Sequence, residues 1–175
     1  TIAAMKMSVL NKLLEQRAYT DAHTGLPNKG ACEVLLNNKE MAAEHTACIM
    51  FDLNNLKIIN DTKGHSKGDQ LILNFAHLLR RVIPQEAFVG RYGGDEFMVV
   101  IYNTSKTEIE DILMQLSREK DSLNSRGNDM PIDYACGWAI SDADSECTIQ
   151  MLLDKADYYM YENKQSRKKS KQSLK

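Results

Sequence analysis

Two glycines and two carboxylates stand together in the chain, and their chemistry suits a metal ion held beside a nucleotide. The run is Gly93-Gly94-Asp95-Glu96, with apolar residues on both sides of it. Glycines leave the backbone bare, so that a phosphate or a base can approach closely. Carboxylate oxygens are the ligands that hard cations such as Mg²⁺ prefer. The run therefore indicates a nucleotide-metal site.

The residues on either side of this run predict a tight hairpin. Strand-like apolar segments cover residues 88–89 and 98–101. Tight hairpins need positive φ at their central residues, which glycine adopts without steric cost. Successive strand residues point to opposite faces, so Asp95 and Glu96 cannot have the same role if both are extended. At most one of them is expected to be the principal metal ligand.

A Gly-Gly-Asp-Glu run alone is more typical of a solvated hairpin tip, but a second stretch upstream favours the functional interpretation. Residues 47–51 form an apolar run that predicts a buried strand, and this run ends at Asp52. The polar segment 52–67 follows and is expected to carry substrate recognition. A helix is then predicted from Gly68 to about Val82. A carboxylate at Asp69 would favour the start of that helix whatever else it does.

Together, the two stretches resemble the GGDEF family of diguanylate cyclases. The family's first motif is matched by residues 52–61, Asp-Leu-Asn-Asn-Leu-Lys-Ile-Ile-Asn-Asp, and then by Gly64-His65 and Gly68-Asp69. Residues 21–28, Asp-Ala-His-Thr-Gly-Leu-Pro-Asn, resemble the family's opening motif. The resemblance extends over residues 21–168, which is most of the chain.

The resemblance implies an enzyme that condenses two GTP molecules into cyclic di-GMP and releases two pyrophosphates. Asp52, the carbonyl of Leu53 and Asp95 would bind Mg²⁺, with Mn²⁺ as an alternative, and Glu96 would be a second metal contact. Two such cations would lie about 4 Å apart, as in other phosphoryl-transfer sites. Asp95 is also the expected proton acceptor, and Lys57 is expected to stabilise charge on the phosphates.

The same resemblance assigns residues to GTP. Asn60 and Asp69 match positions that bind the guanine edge, where a carboxylate can accept from N1–H and the exocyclic amine together. His65 matches another nucleotide-contacting position. Gly93 and Gly94 are expected to let the nucleotide approach their backbone closely.

The end of the matching region departs from the family pattern. Lys164 and Lys168 fall one helical turn apart and could reach the same phosphate chain. Arg167 stands where the family usually has glycine, and Lys168 where it usually has arginine. The point charge of a lysine ammonium then replaces a guanidinium, which can donate two parallel hydrogen bonds to a phosphate. Pro84 and Ala87 occupy the ends of the family's Arg-x-x-Asp product site, so we expect no product inhibition there.

Three parts of the chain are predicted: a connecting helix over 1–19, a catalytic domain over 20–165 and a basic tail over 166–175. In the family such a helix usually joins a sensor and pairs with its copy in a second chain. Its short leucine pattern suits a helix docked on its own domain equally well. The expected fold is α+β and palm-like (nucleotidyl cyclase or ferredoxin-like), with a mostly antiparallel sheet of about five strands covered by helices.

Composition limits the partners. With 175 residues, 43% of them hydrophobic, the chain can bury one sizeable core. A net charge of -2 gives no global attraction for a nucleic-acid polymer. The four cysteines lack paired spacing, which favours reduced, buried thiols. No segment reaches the length of a membrane-spanning helix. We expect a cytoplasmic piece of a bacterial signalling protein, acting as a homodimer, whose upstream sensor or membrane tether lies outside this sequence.

Two other functions stay open at this point. A GTP-binding regulatory module that has lost turnover would keep the same fold and control an attached domain. The intact Asp95 and Glu96 favour catalysis over that alternative. A receptor for cyclic di-GMP is disfavoured, because Pro84 and Ala87 replace the residues of the product site.

Overall fold

The strands form one antiparallel sheet, and helices pack on both of its faces. The computed structural model describes residues 1–127, 129–143 and 146–172, with 168–172 described by their backbone alone. In chain order the elements are α1 (Ile2–Tyr19), α2 (Lys29–Leu36), β1 (Ala47–Leu53), α3 (Leu56–Lys63), α4 (His65–Val82), β2 (Phe88–Arg91), β3 (Glu96–Ile101), α5 (Lys106–Ser125), β4 (Tyr134–Ile140) and α6 (Ile149–Gln172).

The sheet has the strand order β2-β3-β1-β4, and every neighbouring pair is antiparallel. Strands β2 and β3 form the predicted hairpin around the two glycines. Within the described residues the sheet has four strands, one fewer than the expected number of about five. Residues 20 and 27, and residues 41 and 148, pair only as single bridges, so these contacts do not extend into a further strand.

The alternation of residues along β1 separates two hydrophobic cores. Ile49 and Phe51 face α4 and α5, whereas Cys48 and Met50 face α2 and α6. All four side chains are at most 2% exposed, which confirms the buried strand predicted at 47–51. Burying an apolar side chain of this size stabilises the fold by about 1.5–3 kcal/mol. The strand therefore fixes the position of its polar end.

Three element boundaries differ from the prediction. The polar segment 52–67 contains the short helix α3, and α4 begins at His65 rather than at Gly68. The last helix, which the sequence predicts from about Thr148 to Lys164, continues to Gln172, so the described part of the basic tail is helical. This tail holds no glycine or proline, and its Lys, Arg and Gln residues are good helix formers.

Helix α1 is not docked along the domain. None of its residues is buried, and Ile2, Met5 and Leu13 are among its exposed apolar side chains. The docked alternative is therefore wrong, whereas pairing with a second chain stays a prediction. Among the described residues, no helix is long and apolar enough to cross a membrane.

Candidate active site

The ends of β1 and of the hairpin meet at one rim of the sheet. Antiparallel register places Asp52 directly opposite Glu96. The backbone N–H of Leu53 donates to the carbonyl of Asp95 at 2.8 Å, which holds the hairpin loop against the end of β1. The structure thus brings together the two motifs that stand far apart in the sequence.

A cavity of about 370 Å³ opens at this rim. Five of the residues predicted for the site line it: Asp52, Leu53, Lys57, Asp95 and Lys164. The other lining residues belong to the loop after β1, to α3, to the start of β4 and to α6, and they are Asn54, Asn55, Leu56, Ile58, Asp133 and Arg167.

Lys164 reaches the carboxylate that ends β1. Its Nζ lies 2.8 Å from Oδ1 of Asp52, and the Asp52 side chain is only 15% exposed. Helix α6 packs along β4 and β1 on the face where Asp52 points, which explains why a residue so far along the chain arrives there. The contact joins a predicted metal ligand to a predicted phosphate-binding residue.

The donor set at this rim suits a hard cation. Asp52 and Asp95 supply carboxylate oxygens, and Leu53 also lines the cavity. No group of three or more His, Cys, Asp or Glu side chains suited to a metal ion occurs in the part of the chain that is described. Mg²⁺ needs only one or two carboxylates, because it keeps several waters and also binds substrate phosphates.

The hairpin loop differs from the expected glycine turn. The glycines with positive φ in the described residues are Gly25, Gly64 and Gly127, so the expectation of positive φ at 93 and 94 is wrong. The N–H of Gly93 donates to the Glu96 carbonyl at 3.1 Å. A Cβ on Gly93 would lie 2.5 Å from Oε2 of Glu96. The Glu96 carboxylate thus lies against Gly93, and a side chain at 93 would displace the end of this flexible side chain.

Glu96 and Asp95 have different surroundings. Asp95 lies in the loop and lines the cavity, whereas Glu96 begins β3 and folds its carboxylate over Gly93. Desolvation, followed by the nearby charges of Asp95 and Asp52, raises the pKa of Glu96, and Lys164 lowers it to a smaller extent. Glu96 is thus the carboxylate at this rim whose charge is disfavoured by its neighbours.

The residues predicted to bind guanine lie on α3 and α4. A Cβ on Gly68 would overlap Oδ1 of Asn60, so the glycine makes room for that side chain. Asp69 follows, with its side chain exposed and its backbone carbonyl 2.7 Å from Nε2 of His23. His65 is exposed at the start of α4. None of the residues predicted to contact the nucleotide base lines the cavity, whereas Leu56, Lys57 and Ile58 at the start of α3 do.

Arg91 ties the hairpin loop to the opening motif. Its guanidinium donates to the Gly94 carbonyl at 2.9 Å and to the carboxylate of Asp21 at 3.3 Å. Burial raises the pKa of Asp21, but hydrogen bonds from Thr24 and the charge of Arg91 outweigh burial and lower it. Sequence reasoning missed this pairing, since the residues are far apart in the chain.

Sequence reasoning also missed Asp133 and the role of Arg167 in the cavity. Asp133 accepts from the side chain of Asn54 at 3.0 Å and from Arg167 at 3.3 Å. A charged residue just before an apolar strand could have been noticed, because the end of a strand often carries polar groups of a site. The side chain of Lys168, the other predicted phosphate-binding residue, lies outside the described residues.

Comparison with known proteins decides the family. Residues 18–170 match the family described as "Diguanylate cyclase, GGDEF domain".

The chain belongs to the GGDEF family.

Named relatives and solved structures agree with this assignment. The GGDEF chain is 32% identical over 167 residues to the signaling protein YkoW of Bacillus subtilis, covering 91% of this chain and 21% of that protein. It is 32% identical over 170 residues to the diguanylate cyclase DgcP of Escherichia coli, covering 91% of this chain and 48% of that protein. It therefore spans only a fifth to a half of the length of these relatives.

The palm-like fold is confirmed by a solved structure. The GGDEF domain of DgcB from Caulobacter crescentus, crystallised in complex with c-di-GMP, superimposes with a TM-score of 0.72 at 27% identity. The match covers 85% of this chain and 91% of that one. The α+β class, with an antiparallel sheet between helices, is therefore the fold of this family member.

Proposed function

We propose that this domain is a diguanylate cyclase, in which two GTP molecules condense to cyclic di-GMP and release two pyrophosphates. The observation that carries the proposal is that Asp52, Asp95, Lys57 and Lys164 all line one cavity. Phosphoryl transfer relies mainly on positioned charges, with carboxylates that hold the metal and cations that stabilise the phosphates. Relatives that bear the name diguanylate cyclase support the same assignment.

Asp52 and Asp95, with the carbonyl of Leu53, are the residues proposed to hold Mg²⁺ or Mn²⁺. Glu96, directly across from Asp52, is the proposed second contact. When bound, the ion would neutralise charge on the phosphates and favour ionisation of the attacking hydroxyl. Because Glu96 already has a raised pKa among these carboxylates, a cation in this position would also relieve their mutual repulsion.

The side chains of the domain carry the remaining steps. Asp95 accepts the proton of a 3′-hydroxyl as its oxygen bonds to the α-phosphorus of the second GTP. The bond from that phosphorus to the bridging oxygen of pyrophosphate breaks in the same displacement. Lys57 and Lys164 stabilise the departing charge, while Asn60 and Asp69 bind the guanine edge. One GTP in each domain requires two domains face to face, so the homodimer is the active form.

The test is formation of cyclic di-GMP from GTP and Mg²⁺ over a series of protein concentrations. We expect a rate that rises faster than linearly with protein, and a loss of about 100-fold or more in Asp95→Asn. Asp111→Asn, an exposed carboxylate on α5, is the matched control and should keep the wild-type rate. A rate that is linear in protein, measured at concentrations at which sedimentation shows the chain to be monomeric, would contradict the dimer.

The alternative is a GTP-binding regulatory module without turnover. It predicts saturable GTP binding with no product at any protein concentration. A fusion that forces two copies together separates this outcome from weak dimerisation. If the forced dimer binds GTP and still makes no cyclic di-GMP, the cyclase proposal is wrong and the regulatory function replaces it.

A further inference from the structure

His23 joins the turn that follows α1 to the start of α4. Its side chain is exposed, and its Nε2 lies 2.7 Å from the backbone carbonyl oxygen of Asp69. A carbonyl oxygen only accepts hydrogen bonds, so Nε2 carries the hydrogen and donates it. The histidine therefore contacts, from outside the site, a residue that is proposed to bind guanine.

The turn that carries His23, residues 20–28, is held in place by its own hydrogen bonds and by burial. The carboxylate of Asp21 accepts from the backbone N–H of Thr24 at 2.8 Å and from its hydroxyl at 2.7 Å. The N–H of Asp21 donates to the carbonyl of Leu26 at 2.7 Å. Thr24 and Leu26 are both buried, and Leu26 belongs to the same core as α4. His23 is thus attached to a well-fixed support.

The start of α4, in contrast, is weakly held by its own sequence. Its N-cap residue is Gly64, which has a φ of 87° and no side chain that could cap the helix. The first N–H groups of a helix have no partners within the helix, and Gly68 offers them no side chain either. Apart from His23, no side chain in the described part of the chain hydrogen-bonds to the backbone of residues 64–69. The contact from His23 therefore supplies an anchor that the helix itself lacks.

The same turn also contacts the hairpin loop of the proposed metal site. The carboxylate of Asp21 accepts from the guanidinium of Arg91 at 3.3 Å, and that guanidinium donates to the Gly94 carbonyl at 2.9 Å. One turn thus contacts both the helix that carries Asp69 and the loop that carries Asp95. A nucleotide that binds to both needs a constant spacing between them, which this turn can maintain.

We propose that His23 is a positioning residue for guanine recognition. Its hydrogen bond to the Asp69 carbonyl fixes the Cα of Asp69, and the carboxylate on that Cα is thereby directed at the N1–H and exocyclic amine of guanine. Displacement of the carboxylate by about 1 Å would lengthen these contacts beyond hydrogen-bond range. The proposal rests on the proposed function, since it names a residue that sets the specificity of the same site.

The experiment measures the affinity of the chain for GTP, ITP and ATP by calorimetry, with the melting temperature of every variant. ITP retains N1–H but lacks the exocyclic amine of guanine. His23→Met has a similar length but no donor, so it should weaken GTP binding about fivefold and lower the preference for GTP over ITP about threefold. Its melting temperature should stay within about 2 °C of the wild type, because the contact lies at the surface. His23→Gln retains an N–H donor and should restore the wild-type preference.

Arg80→Ala is the matched control. Nη2 of Arg80 donates to the carbonyl of Gly25 at 2.7 Å, so the variant removes an equally short contact between the same turn and the same helix. Arg80 lies about three helical turns after Asp69. Its loss leaves the start of α4 in contact with His23, and the preference for GTP over ITP should stay at the wild-type value.

A purely structural role for His23 gives a different pattern. His23→Met and Arg80→Ala would then lower the melting temperature alike, and neither would change the preference for GTP over ITP. That result, or a failure of His23→Gln to restore the preference, overturns this proposal alone. A wild type that binds GTP without turnover overturns only the cyclase. A wild type that binds no GTP, or binds it no better than ATP, overturns both proposals.

Discussion

Gly137 is the point where helix α6 lies closest to the sheet, and alanine there should damage both stability and the site. A Cβ at this position of β4 would overlap backbone atoms of Ala156 and Met160 and lie 2.6 Å from the carbonyl carbon of Tyr159. All three contacts are with backbone, so no rotation of a side chain can relieve them. The helix itself must move away from β4.

The size of the effect follows from these distances. Carbon atoms in contact lie about 3.5–4.0 Å apart, so α6 must withdraw by about 1 Å or more. Overpacking of this kind costs about 1–3 kcal/mol, and rigid backbone contacts put Gly137→Ala at the upper end. The melting temperature should fall by about 6–12 °C. The contact between Lys164 and Asp52, now 2.8 Å, would lengthen beyond hydrogen-bond range, and misplacement by about 1 Å can reduce a rate about 100-fold.

The assay combines thermal unfolding with the rate of cyclic di-GMP formation, measured well below the melting temperature of every variant. Leu116→Ala is the control, because Leu116 is a fully buried residue of α5, which packs on the opposite face of the sheet. It should cost about 2–5 kcal/mol while leaving α6 in place. Both variants should have a lower melting temperature than the wild type, and only Gly137→Ala should show a reduced rate of cyclic di-GMP formation. An unchanged melting temperature in Gly137→Ala, or an equal loss of rate in both, would refute the reasoning.

Three further predictions concern single charges and one glycine. Because the pKa of Asp21 is lowered by its partners, Asp21→Asn should lower the melting temperature by about 2–4 °C at neutral pH, and the difference should fade as the pH falls through about 4 and below. The pKa of Glu96 is shifted in the opposite direction, because its surroundings disfavour the ionised carboxylate in the folded state. Glu96→Gln should therefore stabilise the fold by about 0.5 kcal/mol at neutral pH and not at all in acid. Melting curves across a pH series check both, and parallel curves for variant and wild type would contradict them. Gly68→Ala should displace the Asn60 side chain and weaken GTP binding by about tenfold with little change in GMP-to-GTP preference, which titration of both nucleotides measures.

Much of the fold could be predicted because apolar periodicity reports burial directly. The apolar run at 47–51 became the buried strand β1, and the helix predicted from Gly68 to about Val82 lies within α4, which packs its apolar side chains on the core. The rim was predictable for a related reason. A strand as apolar as β1 must be buried, so the first carboxylate after it, Asp52, has to emerge at the edge of the sheet.

The remainder depends on contacts between residues far apart in the chain. Helix α3 follows Asn55, which has a left-handed backbone conformation that the sequence alone does not specify. Gly93 has no positive φ, and the Glu96 carboxylate lies against it, an arrangement that the Gly-Gly pattern alone does not indicate. The place of Arg167 depends on where α6 crosses the sheet, which Gly137 fixes through backbone contact.

The residues of the proposed site are held by helices on opposite faces of the sheet. Its guanine-binding part and its phosphate-binding part can therefore be perturbed separately. Asn60 and Asp69 are held by α3 and α4, which pack on one core, whereas Lys164 and Arg167 are held by α6, which packs on the other. Only the strand ends are common to both. A change that shifts α6 should therefore reduce discrimination between GTP and GMP, while a change at α3 or α4 should reduce discrimination between GTP and ATP. Loss of both preferences from a single change would mean that the strand ends themselves had moved.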